Sequence, residues 1–265
     1  MPKFAVDSHC GNVRELNEDS FEAVPDIGLW LVADGVGGHD GGEVASELTR
    51  STIAAHYRKS GDLVSAIEEA HRVVCRAIGE HKGGANMAST VVALALQGDD
   101  FQIAWVGDSR AYLWQGELRL LTRDHSVVEE LVSRGEITRE EGANHPSRHI
   151  ITRCIGMSSK LPIEVSSLSG TLAAGESLIL CSDGLNDFVK AQAISNIMAS
   201  TAEAGSRVAQ LIRAALEGGG RDNVTVAVID AGASGAAERG RGGASTSWFA
   251  SQFQRLRNVF TRVKR

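Results

Sequence analysis

The chain has 265 residues, of which 43% are hydrophobic and 23% are charged, with 27 Lys and Arg against 33 Asp and Glu. This composition is sufficient for a buried core, and the 29 glycines follow no Gly-x-y period, so a disordered or collagen-like chain is excluded. The formal net charge of −6 argues against a body that binds nucleic acid.

Apolar runs of strand length recur through the first 230 residues and are bounded by Gly, Asp and Asn. They predict strands at 3–7, 29–33, 90–97, 101–106, 111–114, 176–181 and 223–229. Residues 97–100 form a connection short enough for a hairpin, which indicates antiparallel pairing rather than repeated βαβ units.

Segments with helical periodicity lie between these runs. They predict helices at 42–58, 62–82, 126–134, 138–143, 191–199 and 202–217. Asp62 is placed to cap the second of them. Because helices and strands each arrive in runs, we expect an α+β fold in which sheets pack on each other and helices lie outside.

The composition changes after residue 230. Residues 231–247 are rich in Gly, Ala and Ser and predict a linker, whereas 248–265 predict a basic amphipathic tail, with apolar residues every three or four positions. Residues 231–265 carry a net charge of +6, so residues 1–230 carry −12. The tail could dock on an anionic membrane surface or in a partner's groove, fold back on the body, or stay disordered.

The four cysteines are scattered and form no CxxC pair, which argues against a zinc ribbon or a disulfide framework. The N-terminus has no signal-peptide pattern, and the longest apolar stretch, 91–96, is far too short to span a membrane. We therefore expect a cytoplasmic protein, which the tail could bring to the membrane periphery.

Five aspartates stand at or near the ends of predicted strands: Asp19, Asp34, Asp108, Asp183 and Asp222. If these ends converge, the carboxylates repel one another and require a cation, and an all-oxygen ligand set favours Mg²⁺ or Mn²⁺ over zinc. Each Asp-Gly pair is also an ordinary turn sequence, so spacing alone leaves both interpretations open.

The glycine-rich loop 35–42 lacks the Gly-Lys-Ser/Thr ending of a P-loop and does not fit GxGxxG, so it gives only weak support for nucleotide binding. Its glycines instead leave the backbone free to approach a metal ion or an anion.

Seven motifs in this order resemble those of the metal-dependent, protein phosphatase 2C-like serine/threonine phosphatases of bacterial stand-alone type. They span roughly residues 5–230 and read 11–19 GNVRELNED, 32–39 VADGVGGH, 89–92 STVV, 106–110 VGDSR, 121–126 LTRDHS, 181–185 CSDGL and 221–225 RDNVT. The resemblance implies a β-sandwich of two mainly antiparallel sheets between helical layers, with a two-metal site at one edge. It assigns residues 1–230 to the catalytic domain and about 124–156 to a small variable flap.

The resemblance also implies the site residues. Asp19 and Asp34 hold two Mn²⁺ or Mg²⁺ ions, helped by the Gly35 carbonyl, and Asp183 and Asp222 complete the ligand set. Asp108 with Asp183 corresponds to a third, weaker metal position.

Three further residues have implied roles in catalysis. Arg14 corresponds to the phosphate-binding arginine, and Glu18 orients bound water. His39 is a candidate general acid, although its loop is longer than in eukaryotic relatives, and a histidine without a catalytic role fits equally well. One departure from the family pattern is His9, which stands where many relatives have an acid.

The implied activity is hydrolysis of phosphoserine and phosphothreonine in proteins by water that two metal ions activate, which reverses a bacterial Ser/Thr kinase. We expect a monomer whose partners are a phosphoprotein and that kinase, and no nucleic acid. Two alternatives remain: a non-catalytic phosphatase-like binding module, disfavoured because all five metal-binding acids are present, and another two-metal phosphoesterase such as a nuclease, disfavoured by the acidic body.

Overall fold

Strand β3, Leu29–Val36, illustrates how the sequence builds the core of this computed structural model, which describes residues 2–37, 41–82, 84–157, 162–200 and 202–232. Alternate side chains of a strand point to opposite faces of its sheet. Leu29 and Leu31 accordingly pack into one apolar cluster, whereas Trp30 and Val32 pack into another. Both faces of β3 are therefore buried over residues 29–33, which explains the unbroken apolar sequence of that part of the strand.

Two antiparallel sheets form the centre of the fold. The first sheet has the strand order β1-β11-β10-β7-β8, and the second has the order β2-β3-β5-β6-β9, with β4 beside β3. The strand bounds are β1 Phe4–His9, β2 Asp19–Val24, β4 Ala88–Ser89, β5 Val91–Gln97, β6 Asp100–Val106, β7 Arg110–Trp114, β8 Leu118–Leu120, β9 Ser166–Thr171, β10 Ser177–Cys181 and β11 Val224–Asp230.

Helices cover both outer faces of the sandwich. Helices α1 and α2 pack on the second sheet, and α6 and α7 pack on the first, while a third apolar cluster fills the space between the sheets. The helix bounds are α1 Gly41–Ser60, α2 Leu63–Gly79, α3 Val127–Ser133, α4 Arg139–Ala143, α5 Asp183–Asn186, α6 Ala191–Met198 and α7 Ala204–Glu217. This four-layered αββα arrangement confirms the predicted α+β fold class.

All seven predicted strands and six predicted helices are present, and none of their ends shifts by more than three residues. Asp62 caps α2, because its Oδ1 accepts from the Ser65 amide at 3.1 Å. The sequence analysis missed four strands, β2, β4, β8 and β9, as well as the single-turn helix α5. Among the described residues, none of the helices has the length and apolar character needed to cross a bilayer.

Candidate metal centre

Five carboxylates meet at one edge of the sandwich because of where their strands begin and end. Asp19 opens β2 and is the register partner of Asp34, near the end of β3. Asp108 follows β6, Asp183 follows β10, and Asp222 lies two residues before β11, the antiparallel neighbour of β10. The structure thus brings together the five aspartates that the sequence analysis singled out, two of them from the first sheet and three from the second.

The Asp19 carboxylate accepts hydrogen bonds from two hydroxyl groups, one directly after β10 and one in β11. Oδ2 of Asp19 accepts from Ser182 Oγ at 2.8 Å and from Thr225 Oγ1 at 2.7 Å, and the Thr225 amide donates to Ser182 Oγ at 3.0 Å. The other carboxylate oxygen, Asp19 Oδ1, is buried and has no hydrogen-bond partner among the described residues. One oxygen therefore fixes the side chain while the other stays free to coordinate a cation.

Asn223 joins the same edge to the N-terminal loop. Its Oδ1 accepts from the Glu18 amide at 2.8 Å, and its Nδ2 donates to the carbonyls of Cys10 at 3.0 Å and Leu16 at 2.9 Å. Glu18 Oε1 is a second buried carboxylate oxygen without a partner in the described part of the chain. The sequence analysis gave no role to Asn223, Ser182 or Thr225, although all three lie inside the quoted motifs.

Two glycines let the backbone approach the acids closely. The Gly35 amide donates to the Glu18 carbonyl at 3.2 Å, and the Thr90 amide donates to the Asp34 carbonyl at 2.8 Å. A Cβ atom on Gly42 would lie 2.5 Å from Glu18 Oε1, and one on Gly35 would collide with the Gly42 carbonyl oxygen. Gly35 and Gly42 thus make room for the Glu18 side chain beside the start of α1.

The buried carboxylates of this cluster repel one another, and a bound cation would offset this repulsion. Burial, and then repulsion from the other four aspartates, raises the pKa of Asp34 well above its usual range, and burial and neighbouring acids act on the pKa of Asp183 in the same direction. Burial raises the pKa of Asp19 to about 6 despite its two hydroxyl donors, and it likewise raises that of Asp108 to about 6. Because the donors are oxygen atoms, the residues present fit hard divalent ions such as Mg²⁺ or Mn²⁺.

Arg14 lies beside this cluster. Its Nη2 donates to Asp222 Oδ2 at 2.9 Å, and both side chains are partly exposed. His9 accepts a hydrogen bond from the Gly11 amide at 3.0 Å through Nδ1, which is a local turn contact. His39, the candidate general acid, lies outside the described residues.

The predicted flap contains α3 and α4 and starts at a partly buried ion pair. Arg110 contacts both carboxylate oxygens of Asp124, with Nε at 3.0 and 3.2 Å and Nη2 at 2.6 Å. A bidentate pair of this kind fixes the direction of both side chains. The chain therefore enters the predicted flap from a point that is anchored to β7.

His125 connects this entry point to the loop that carries Asp108. Its Nδ1 accepts from the Gly107 amide at 3.1 Å, its own amide donates to the Gly107 carbonyl at 2.9 Å, and Nε2 lies 2.9 Å from Ser166 Oγ. The ring also stacks on Trp105. Because Nδ1 accepts, the imidazole is neutral with its proton on Nε2, and burial lowers its pKa to about 4.

This arrangement predicts a pH-dependent loss of stability. The pKa of His125 is depressed in the folded state, so its contribution is complete above the unfolded pKa of about 6.5 and is lost as the pH falls towards 4. Relative to His125→Gln, the wild type should lose on the order of 2 kcal/mol of unfolding free energy between pH 7 and pH 4.5. Urea unfolding of both proteins at several pH values measures this difference, and parallel pH profiles would contradict the prediction.

Comparison with known proteins agrees with this fold. The family model of protein phosphatase 2C matches residues 8–218. The serine/threonine phosphatase stp of Listeria monocytogenes is 33% identical over 234 residues, covering 83% of this chain and 92% of that protein. The serine/threonine protein phosphatase PstP of Mycobacterium tuberculosis is 37% identical over 236 residues, covering 86% of this chain and 45% of that longer protein.

Solved structures extend the likeness to three dimensions. The crystal structure of the Mycobacterium tuberculosis phosphatase PstP/Ppp is 34% identical, covers 86% of this chain and 98% of that one, and gives a TM-score of 0.80. The structure of the PstP catalytic domain in complex with 2 manganese ions is also 34% identical. The match covers 86% of this chain and 97% of that one, and the TM-score is 0.75. With most of its length matched by the family model, this chain belongs to the protein phosphatase 2C family.

Proposed function

We propose that this chain is a Mn²⁺- or Mg²⁺-dependent protein phosphatase that hydrolyses phosphoserine and phosphothreonine. The observation that carries the proposal is the convergence of five carboxylates from both sheets, with buried oxygens on Asp19 and Glu18 that have no partner among the described residues. The relatives support it, since they are named as serine/threonine phosphatases and one of them binds two manganese ions.

Asp19, Asp34, Asp183 and Asp222, together with the Gly35 carbonyl, would hold two cations, and Asp108 with Asp183 would hold a third. When bound, such ions lower the pKa of water and offset the charge of phosphoryl oxygens. The protein's part is to keep the carboxylate oxygens in place. Ser182 and Thr225 do this for Asp19 by occupying one of its two oxygens.

Arg14 and Glu18 would act on the substrate and the attacking water. The Arg14 guanidinium presents several N–H donors, and only Nη2 is engaged by Asp222, so a phosphate monoester can be held by the others. Glu18 Oε1 is free to accept a proton from water. The leaving serine or threonine oxygen takes a proton as its bond to phosphorus breaks, and His39 remains the candidate donor.

Several finer assignments belong to the same proposal. A Ser/Thr kinase would generate the phosphoprotein substrate, and the enzyme would act in the cytoplasm as a monomer. Residues 1–230 would form the catalytic domain, with the flap at about 124–156. The linker 231–247 and the basic amphipathic segment 248–265 stay predictions, because residues 233–265 lie outside the described part of the chain.

The proposal predicts hydrolysis of a phosphothreonine peptide that depends on added metal. Protein stripped with EDTA should release no phosphate, and Mn²⁺ or Mg²⁺ should restore turnover, because the like-charged carboxylates cannot activate water alone. The same carboxylates predict that Mn²⁺ raises the melting temperature. Phosphate release and thermal unfolding, each measured against Mn²⁺ concentration, test both points.

Turnover by metal-free protein would contradict this proposal. Metal binding without any phosphate release would instead favour the non-catalytic binding module. A nuclease assay on the truncated chain 1–232 addresses the remaining alternative, for which the net charge of −12 on residues 1–230 is unfavourable.

A further inference from the structure

The loop between β1 and β2 exposes two apolar side chains to water. Val13 has 65% of its surface exposed and Leu16 has 49%. They stand on either side of Arg14, the residue proposed to hold the substrate phosphate. Apolar side chains scattered singly over a surface are ordinary, but a pair beside a functional residue is a candidate contact surface.

The backbone of this loop is held at both ends of the exposed pair. Before the pair, the Asn12 amide donates to the Gly220 carbonyl at 2.6 Å. At its other end, the Leu16 carbonyl accepts from Asn223 Nδ2 at 2.9 Å. Both bonds tie the loop to the segment that leads into β11. The apolar surface is therefore organised before a ligand arrives, and binding to it costs little conformational entropy.

The anchored loop also places the pair at the edge of the acid cluster. Arg14 Nη2 donates to Asp222 Oδ2 at 2.9 Å, and Glu18, two residues after Leu16, has a buried carboxylate oxygen. An extended peptide advances about 3.3 Å per residue. A phosphate beside Arg14 would therefore put the neighbouring peptide residues within reach of Val13 and Leu16.

The charges around the pair favour an apolar neighbour over an acidic one. Arg14 is engaged by Asp222, and the other charged residues of the loop, Glu15 and Glu18, are acids. Residues 1–230 together carry a net charge of −12, so an acidic residue beside the phosphate would be repelled. Removal of apolar surface from water supplies attraction without any charged partner.

We propose that Val13 and Leu16 form an apolar subsite that selects phosphoproteins with large apolar residues next to the phosphoserine or phosphothreonine. The inference rests on the proposed phosphatase function and names the substrate class of the same site. Covering these two side chains with apolar residues of the substrate should strengthen binding by about 10-fold. The contact is equal in the bound substrate and in the transition state, so it lowers KM and leaves kcat unchanged.

The test compares three phosphothreonine peptides of one length, in which the residues flanking the phosphothreonine are all Leu, all Gly or all Lys. The whole chain with saturating Mn²⁺ should hydrolyse the Leu peptide with a KM about 10-fold below that of the Gly peptide, at equal kcat. Val13→Thr and Leu16→Asn each put a polar side chain of similar size in place of an apolar one. Each should reduce the KM ratio to about 3-fold, and the double variant should reduce it to about 1.

Leu120→Asn is the matched control, because Leu120 is a leucine of similar exposure on the edge strand β8, outside this loop. It should keep the KM ratio of wild type. Melting temperatures with and without Mn²⁺ check the fold and the metal centre of every variant.

Equal KM values for the Leu and Gly peptides in wild type would overturn the inference while the phosphatase function stands, and so would an unchanged ratio in the double variant. A lower KM for the Lys peptide than for the Leu peptide would also overturn it, and would assign the selection to the negative charge of the body. If no peptide is hydrolysed with added metal, the proposed function is wrong and this inference with it.

Discussion

Replacing Asp34 by Asn is expected to lower kcat/KM for a phosphothreonine peptide by on the order of 10³-fold, while the metal-free protein becomes more stable. Asp34 is the acid whose pKa is raised by burial and then by all four other aspartates of the cluster. A carboxylate whose folded pKa lies above its unfolded value destabilises the fold increasingly as the pH rises from the unfolded pKa through the folded pKa. An amide of the same shape removes that repulsion but supplies a poorer ligand for a divalent ion.

Asp34→Asn should therefore lower the activity but raise the stability of the metal-free protein. Replacing a residue that is needed only for folding would lower both, so the two measurements separate a metal ligand from a structural residue. The melting temperature of metal-free Asp34→Asn should rise by about 2–4 °C for each kcal/mol of relieved repulsion, and added Mn²⁺ should raise it less than in wild type. Asp100→Asn, at an exposed carboxylate that opens β6, is the matched control and should change neither quantity. A variant with full activity, or one that Mn²⁺ still stabilises fully, would contradict the role of Asp34.

Most of the strands that the sequence predicts are buried on both faces, and the edge strand β1 is the exception. Strands β3, β5 and β10 are almost wholly apolar, because one face packs on helices and the other on the opposite sheet. The missed strands have weaker patterns: β9 reads SSLSGT and β8 has three residues, and both lie at the edges of their sheets. Edge strands bury less surface, so their sequences need fewer apolar residues.

The position of the acids could be predicted, but the way they are held could not. Each aspartate at a strand end is visible locally, whereas the order of strands in the two sheets decides which ends meet. The hydrogen bonds from Ser182 and Thr225 to Asp19 join residues 163 and 206 positions apart. No local pattern specifies contacts of that range, although the polar residues next to the aspartates in the motifs are where such partners would be sought.

Replacing Asn223 by Ala is the second substitution for which we expect a large loss of stability, because this one side chain forms hydrogen bonds with three backbone groups. In Asn223→Ala the Glu18 amide and the carbonyls of Cys10 and Leu16 lose their partners. Unsatisfied buried groups cost about 1–3 kcal/mol each, so we expect a loss of about 2–4 kcal/mol after partial access of water. The loop that carries Arg14 and Glu18 would then be held less firmly, and Mn²⁺ affinity should fall by about 10–100-fold.

Asn223→Asp distinguishes the donor role from the acceptor role. A carboxylate still accepts from the Glu18 amide, but it turns a negative oxygen towards the Cys10 and Leu16 carbonyls and adds charge beside Asp222. The pKa of the new carboxylate should therefore be raised in the folded state. The stability of the variant relative to wild type is then highest at low pH and falls as the pH rises through that pKa. Urea unfolding from pH 5 to pH 8 measures this trend, which Asn223→Ala should lack.

Asn12 offers a matched control for both substitutions. It also donates from Nδ2 to two backbone carbonyls, those of Leu216 at 2.9 Å and Gly219 at 3.2 Å, but it is exposed. Water can replace these bonds, so Asn12→Ala should cost less than about 1 kcal/mol and leave Mn²⁺ affinity unchanged. If Asn12→Ala and Asn223→Ala weaken Mn²⁺ binding equally, the loss reflects general loosening of the N-terminal loop, and the specific support of the acid cluster by Asn223 is wrong.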